Sequence, residues 1–328
     1  MKAIRMLCTL VSCLVVPLGM AFLSEGGSPP ISDEAAIAAY AKAAKALQIE
    51  QDGEKPIVSK AEARTSEFTT RVGSVRKVRS RVLSVDVDAC SGKIVSVQNE
   101  QAWERSNARA KTALEEGKGN GPTRTPKQVI DAAENYCRTL GQNLTPDLGF
   151  RLMGYDNKQG MWSLGWARYV NGYVFDEEGI SIHIEDQTGD LVLYSNWVTQ
   201  IACNTDVRVP KDKALAIARD YMSKILPKLV QNQPFKFDQV EEPELWIVYV
   251  NDFFKRVEAR VEAWVEGTAP PEQLLPSPEE LVPPRARLVY TIRFNFWYIG
   301  KERVNINREG RATIWVDAAN GEIVGGLM

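Results

Sequence analysis

Apolar and polar residues alternate along three well-separated stretches of the chain, and each alternation runs into the same kind of turn. The stretches are LSVDVDACSGKIVSV (83–97), ISIHIEDQTGDLVLY (180–194) and ATIWVDAANGEIVGG (312–326). In each, a period-two strand ends at an acidic residue, three turn residues follow, and a glycine opens a second apolar strand. The acid-to-glycine pairs are Asp88 and Gly92, Glu185 and Gly189, and Asp317 and Gly321, with the same spacing in all three. A short hairpin loop needs a positive φ at the glycine, which a residue with a Cβ adopts at greater cost. Ser91, Thr188 and Asn320, which precede the glycines, are ordinary turn formers. Each acid is read as a structural group that accepts backbone N–H bonds across its own turn.

A 3.6-residue period appears elsewhere. ISDEAAIAAYAKAAKALQ (31–48) is alanine-rich, with Ser32 or Asp33 able to cap it. TPKQVIDAAENYCRTLG (125–141) carries Thr125 as cap, Pro126 at the first helical position and Gln128 to close a capping box. Its Val129, Ala132, Ala133, Tyr136, Cys137 and Leu140 fall on one face. VPKDKALAIARDYMSKIL (209–226) buries Ala214, Ile217, Ala218, Tyr221, Met222 and Ile225 by the same spacing. Further strands are expected at 66–73, 148–155, 160–170, 244–250 and 287–298, and at 256–266, where RVEARVEAWVE alternates apolar with charged. Asn171-Gly172 is a hairpin signal. The polar stretch 104–124 reads as a linker, and GTAPPEQLLPSPEELVPPR (267–285), with six prolines, as a long excursion between two strands.

The plan repeats: a helix, then strands, then the hairpin. The expected fold class is α+β, built from repeated modules of one helix packed on a small antiparallel sheet. The modules are placed at 31–100, 125–200 and 208–328, with 101–124 as linker and 267–285 as an insertion into the third.

The N-terminus adds a compartment. In MKAIRMLCTLVSCLVVPLGMA (1–21), Lys2 and Arg5 precede an apolar run that ends in Gly19-Met20-Ala21, the layout of a secretory signal cut after Ala21. The alternatives are an uncleaved N-terminal anchor, or lipidation at Cys13, which sits mid-run instead of at its end. Membrane attachment is expected only through such an uncleaved N-terminus. The formal net charge is −2, and −4 without Lys2 and Arg5. Neither value gives the clustered basic surplus of a nucleic-acid binder, and the local basic run RVGSVRKVRSR (71–81) alternates with valine like a strand with one solvated face. Outside the export segment remain Cys90, Cys137 and Cys203, an odd number without metal-ligand spacing, which allows at most one disulfide.

Two stretches resemble a known family. The helix ALAIARDY (214–221) followed by strands and a terminal VDAANGEIV (316–324) resembles the PepSY domain. The middle stretch WSLGWARYVNGYVFDEEGISIHIEDQTGDLVLYSNW (162–197) is similar to the YcdB/YcdC-type repeat, a relative of PepSY. The likeness spans about 125–326; the first unit shares its helix and its Gly92 hairpin. The resemblance implies modules found in the propeptides of secreted metalloproteases, where they inhibit or assist folding, and in free-standing exported or membrane-anchored proteins. It brings no catalytic residues and no cofactor.

Candidate chemistry is sparse. The chain has one histidine, His183, in the strand ISIHIED and opposite in direction to Ile182 and Ile184. A zinc-protease helix needs two histidines, and no glycine-rich phosphate loop is present; GKGNGP (117–122) lacks the Lys-Ser/Thr ending. DEEG (176–179) lacks the alternating oxygen ligands of a calcium loop. NLT (143–145) is a glycosylation sequon, relevant in a eukaryote. No metal or cofactor is expected. Trp162 and Trp166 share one strand face and mark a candidate partner surface if that face is opposite the helix. The function expected is therefore non-enzymatic: protein or peptide binding in the cell envelope, with a secreted or membrane protease as a candidate partner. The alternatives are a carboxylate-based hydrolase drawing on Asp88, Glu185 and Asp317, and an architectural protein that self-associates.

Overall fold

The structure, a computed structural model, describes residues 30–50, 53, 55–65, 71–119, 121–199, 201–229, 235–266, 285–298 and 309–327. The signal segment (1–21), all but Arg285 of the proline-rich insertion, and the first part of the strand expected at 66–73 lie outside the described residues. The first third of the chain forms α1 (Asp33–Ala46), β1 (Ile57–Val58), β2 (Glu62–Thr65), β3 (Arg71–Arg79), β4 (Leu83–Asp88), β5 (Ile94–Asn99) and α2 (Glu100–Glu116). The middle forms α3 (Pro126–Leu140), β6 (Leu148–Asp156), β7 (Met161–Val170), β8 (Tyr173–Glu185) and β9 (Leu191–Asn196). The last third forms α4 (Lys211–Leu229), β10 (Phe235–Gln239), β11 (Glu244–Tyr249), α5 (Phe253–Glu266), β12 (Ala286–Tyr298), β13 (Glu309–Asp317) and β14 (Ile323–Leu327).

The expected set of small separate sheets, each under one helix, is overturned. The strands join into one fourteen-stranded sheet whose main path runs β1-β3-β4-β5-β9-β8-β11-β12-β13-β14. The sheet is mixed: β8 and β11 pair in parallel through Trp246 with Val174 and Ile247 with Phe175, while every other pairing is antiparallel. β8 is the branch point. One edge carries β7, and beyond it β6; the other carries β9 on its C-terminal part and β11 near its N-terminal end. The first and second thirds merge where β5 pairs with β9, Val97 opposite Tyr194.

The helix layer explains why the merger is stable. α1 and α3 bury Ala36, Tyr40, Ala43, Val129, Ala133, Cys137 and Leu140 in one core with Val78, Val85, Val97, Leu164, Ile182, Ile184 and Tyr194, drawn from both thirds. Each fully buried side chain of Val, Leu or Ile size contributes roughly 1.5–3 kcal/mol, so splitting the units would expose a shared core. The expected capping box of α3 is present: Thr125 N donates to Gln128 Oε1 (2.9 Å) and Gln128 N to Thr125 Oγ1 (3.3 Å). The last third has its own core under α4 and α5, with Ala214, Ala218, Met222, Phe254, Val257, Ile292, Phe294 and Ile314.

Two further helices correct the sequence reading. The linker expected over 101–124 is mostly α2, capped by Asn99, whose Oδ1 accepts from Ala102 N (3.2 Å), and closed by Gly117 at φ 67°. It buries Ala102 against Met161 and Val192, on the sheet face opposite α1 and α3. The strand expected over 256–266 is instead α5. Phe253, Phe254 and Val257, spaced three and four apart, are among its buried positions, with Ala263 further on, and the period-two reading began too late to include the phenylalanines. Among the described residues no helix is long and apolar enough to cross a membrane.

Candidate functional site

The three acid–glycine hairpins share one backbone closure. Gly92, Gly189 and Gly321 take φ values of 70°, 78° and 82°, and each donates its N–H to the carbonyl of its acid, Asp88, Glu185 or Asp317, at 2.9 Å. The Asp88 carboxylate accepts from Cys90 N (3.2 Å) and Ser91 N (2.7 Å), and that of Asp317 from Ala319 N (2.7 Å) and Asn320 N (3.3 Å). A fourth case, absent from the sequence reading, closes β6 onto β7. There Gly160, at φ 64°, donates to Asp156 O (2.8 Å), and the Asp156 carboxylate accepts from Lys158 N and Gln159 N. The spacing therefore marks a turn chemistry and does not by itself count modules.

The middle hairpin is built differently, because its acid is clamped to α2. The Glu185 side chain is fully buried; its Oε2 accepts from Arg105 Nε (2.9 Å) and Nη2 (2.7 Å), and its Oε1 lies 2.8 Å from Arg109 Nη2. Arg105 also holds Asp190 at 2.5 Å. Next in sequence, Asp186 accepts from Thr123 N (2.7 Å), Thr123 Oγ1 (2.6 Å), Arg124 N (3.1 Å) and Trp162 Nε1 (2.8 Å). Burial pushes the Asp186 carboxyl up, but these hydrogen bonds together outweigh it and hold the group below the ordinary carboxylate range. Asp88, Glu185 and Asp317 thus sit on three separate hairpins, each engaged within or beside its own turn. They do not form the facing carboxylate pair of a glycosidase.

Trp162 and Trp166 are core residues, with 6% and 5% exposure, on the face covered by α1 and α3. The partner surface expected of them is corrected on that ground. They do form the floor under a neighbouring strand: Tyr155 packs on Trp162 with ring centroids 5.1 Å apart, and Phe150 meets Trp166 edge-on at 5.3 Å. That strand, β6, pairs only with β7 among the described residues. It is nine residues long and exposed over Phe150–Gly154. Phe150, Leu152 and Met153, at 45%, 48% and 36% exposure, are three of the eight exposed large hydrophobics among the described residues, so this edge gathers them. The register slips between Phe150 and Leu152, which leaves Arg151 as the extra residue of a bulge. Phe150 and Met153 therefore stand on the helix side, opposite Trp166 and Leu164, and Leu152 on the other side, opposite Gly165. Arg151 reaches the ring of Trp246 on β11, its guanidinium carbon 5.1 Å from the centroid.

His183 lies on the face behind this strand. Ser163 Oγ is 3.1 Å from its Nδ1 and Ser181 Oγ 3.4 Å from its Nε2, so both ring nitrogens meet hydroxyls. Burial holds its pKa below the ordinary value and keeps the ring neutral near pH 7. A serine nucleophile would also need a third group to orient the base and donors aimed at a developing oxyanion. Among the described residues the polar side-chain contacts of His183 are the two serines, and Ser163, Ser181 and His183 all stand in strand ladders. Among the described residues no group of three or more His, Cys, Asp or Glu could hold a metal ion.

No family model matches the chain, and no curated protein matches it. Among solved structures it is similar to the Bacillus megaterium YpeB C-terminal domain, at 9% identity and a TM-score of 0.37, covering 92% of this chain and 98% of that one. It is also similar to an uncharacterized protein from Eubacterium rectale ATCC 33656, at 10% identity and a TM-score of 0.42, covering 89% and 82%.

The site missed by sequence reasoning is the edge of β6. Its signal was present in GFRLMGY, where apolar residues occupy both parities of a strand. A strand buried on one face should be polar on alternate positions. Apolar residues on both faces mean either two covered faces or a strand left for something else to cover.

Proposed function

We propose that this is an exported, non-enzymatic protein of the cell envelope that binds an extended polypeptide segment as an added strand along β6. The carrying observation is the edge itself: a long strand, uncovered among the described residues, with Phe150, Leu152 and Met153 exposed beside it. Alternate backbone N–H and C=O groups of an edge strand point away from its one neighbour. Water satisfies such a row in the free protein, and another polypeptide backbone matches its spacing along the whole strand, with side-chain pockets on the two faces then selecting the sequence. The complementary partner carries apolar residues on both faces and an acid opposite Arg151. Export rests on the signal layout of residues 1–21. Restraint of a secreted or membrane protease follows if the added segment belongs to such an enzyme.

The reading is tested by selecting peptides from a displayed library on the purified protein and measuring their affinity by titration calorimetry. Peptides that bind should lose at least about tenfold in affinity, a change of about 1.4 kcal/mol, towards Met153→Lys or Leu152→Lys. The same peptides should bind unchanged to a protein altered at the exposed Leu114 on α2. Failure of both β6 variants to weaken any selected peptide would exclude β6 as the binding edge. Concentration-dependent dimerisation that is lost in the same variants would make the occupant a second copy of the chain and favour the architectural alternative.

A further inference from the structure

A groove of about 360 Å³ opens between α1, the Gly92 hairpin and the C-terminal end of α3. It lies apart from β6 and does not depend on the strand-addition reading. Its size is at the lower end of the range for small-molecule sites. The groove exists because α1 presents alanines there: Ala35, Ala38 and Ala39 leave space that larger side chains would fill, and Ile94 and Leu140 complete an apolar floor.

The rim is cationic. Lys42 and Lys93 both line the groove, no carboxylate lines it, and among the described residues neither lysine forms an ion pair. Lys42 is held over the end of α3. A Cβ at Gly141 would lie 2.6 Å from Lys42 Nζ, and Gly141 closes that helix at φ 91°. The glycine thus serves both the left-handed cap and the close approach of the ammonium, which sits at the negative end of the helix dipole. Gln142 is fixed beside it, its Oε1 accepting from Asn196 Nδ2 (2.9 Å) and its Nε2 donating to Asn143 O (3.0 Å).

We propose that this groove binds a small organic carboxylate, with the anion between Lys42 and Lys93 and an apolar body on the alanine floor. Two ammoniums without protein counter-ions supply charge-assisted hydrogen bonds to an anion, and the floor favours an anion with a hydrocarbon part over a bare inorganic one. Such a carboxylate can come from a short fatty acid or from the C-terminus of a peptide.

The test titrates the purified protein with hexanoate, with acetyl-dialanine carrying a free carboxylate, with the neutral amides of both, and with inorganic phosphate. Amide resonances of Gly92, Ile94 and Gly141 are followed by NMR. The expected result is saturable shifts at these positions with at least one carboxylate, and affinity at least about tenfold weaker, roughly 1.4 kcal/mol, for its amide and for phosphate. Lys42→Met and Lys93→Met should each weaken binding several-fold, and Ala38→Leu should abolish it while leaving both lysines in place. Saturation by hexanoate alone identifies the fatty-acid source, and by the peptide alone the C-terminal source. Equal binding of amide and carboxylate, equal binding of phosphate, survival of binding in the Lys42→Met, Lys93→Met double variant, or no shifts at the groove would each overturn the proposal.

Discussion

The sheet treats two of its edges in opposite ways. At the end of its main path, β14 lies under α5, and the cover is pinned. Asn251, fully buried, donates from Nδ2 to Gly326 O (2.9 Å) and accepts at Oδ1 from Gly326 N (3.1 Å) and from Phe253 N (3.2 Å). Gly325 and Gly326 admit this approach: a Cβ on Gly325 would meet Asn251 Oδ1 at 2.2 Å, and one on Gly326 would meet the Phe254 ring at 2.5 Å. One asparagine thus holds the first N–H of α5 and bonds both backbone groups of Gly326 on the edge strand. At β6 the helix layer stops one strand short, since α3 packs over β7 and β8. Edges are usually blunted by shortness, charge, a bulge or a cover. β6 has one bulge and one arginine, and keeps its apolar side chains in solvent. Among the described residues one edge is thus held by a helix and a buried asparagine and the other is open, and the proposed strand addition at β6 rests on that contrast.

The largest expected effect falls on the link between the two regions. Glu178, buried in the β8 bulge, bonds Arg168 Nη1 (2.5 Å), Tyr249 OH (2.5 Å) and Thr199 Oγ1, and so ties β7 and β8 to β11. Burial first, and then the Glu178 charge, hold the Tyr249 phenol well above its ordinary range, so it remains a donor. Glu178→Ala removes the buried carboxylate, leaves the half-buried Arg168 with Asp147 at 3.7 Å and the Thr199 carbonyl, and takes an acceptor from the buried Tyr249 hydroxyl. Breaking such a pair should cost about 3 kcal/mol, the lower end of the range for a buried one. Denaturant melts should show the capped and open halves separating into two transitions. Next, Asn251→Ala removes the pin at β14 and leaves buried groups without partners, each costing about 1–3 kcal/mol. Hydrogen exchange should then accelerate at β14 and not at β6.

Smaller effects sharpen the hairpin geometry. Gly189→Ala should cost about 1–2 kcal/mol from its left-handed backbone, plus a further cost because the new Cβ would meet the Arg124 guanidinium at 2.7 Å. Gly92→Ala meets only Ile31, at 4.0 Å, and should carry the backbone cost alone. Chemical denaturation of the two variants measures the difference. Met153→Lys, at an exposed position, should change stability by less than about 0.5 kcal/mol, so any loss of peptide binding belongs to the surface. The smallest effect is one of pH. Because the folded His183 pKa is depressed, the unfolded chain binds more protons near pH 6. Stability should be full above the unfolded histidine pKa and fall as pH drops towards the folded one. His183→Gln should flatten that part of the profile.

Much of the local structure was legible because it is written locally. Thr125, Pro126 and Gln128 announce a capped helix, and Asn171-Gly172 takes φ values of 52° and 85°, both positive as its hairpin signal requires. The hairpin at Asp317 and Gly321 folds from residues within five positions of one another. What failed to show is non-local. The parallel contact of β8 with β11 rests on two residue pairs between segments some seventy positions apart, and no pattern within either segment encodes it. α5 was misread because Val257, Ala259, Val261 and Ala263 alternate in sequence, a period that fits a strand until Phe253 and Phe254 are counted. Trp162 and Trp166 were correctly placed on one face, but a strand pattern cannot say which face the helices cover. The edge position of β6 depends on where the helix layer ends, which is a property of the whole sheet.

The most direct measurement is hydrogen exchange of the β6 amides, residues 148–156, in the free protein and with a selected peptide bound. Strand addition predicts that alternate amides of β6, those pointing away from β7, exchange quickly in the free protein and become protected by the peptide, while β14 is protected in both states. Unchanged exchange along β6 with the peptide bound, or protection confined to another element, would contradict the account.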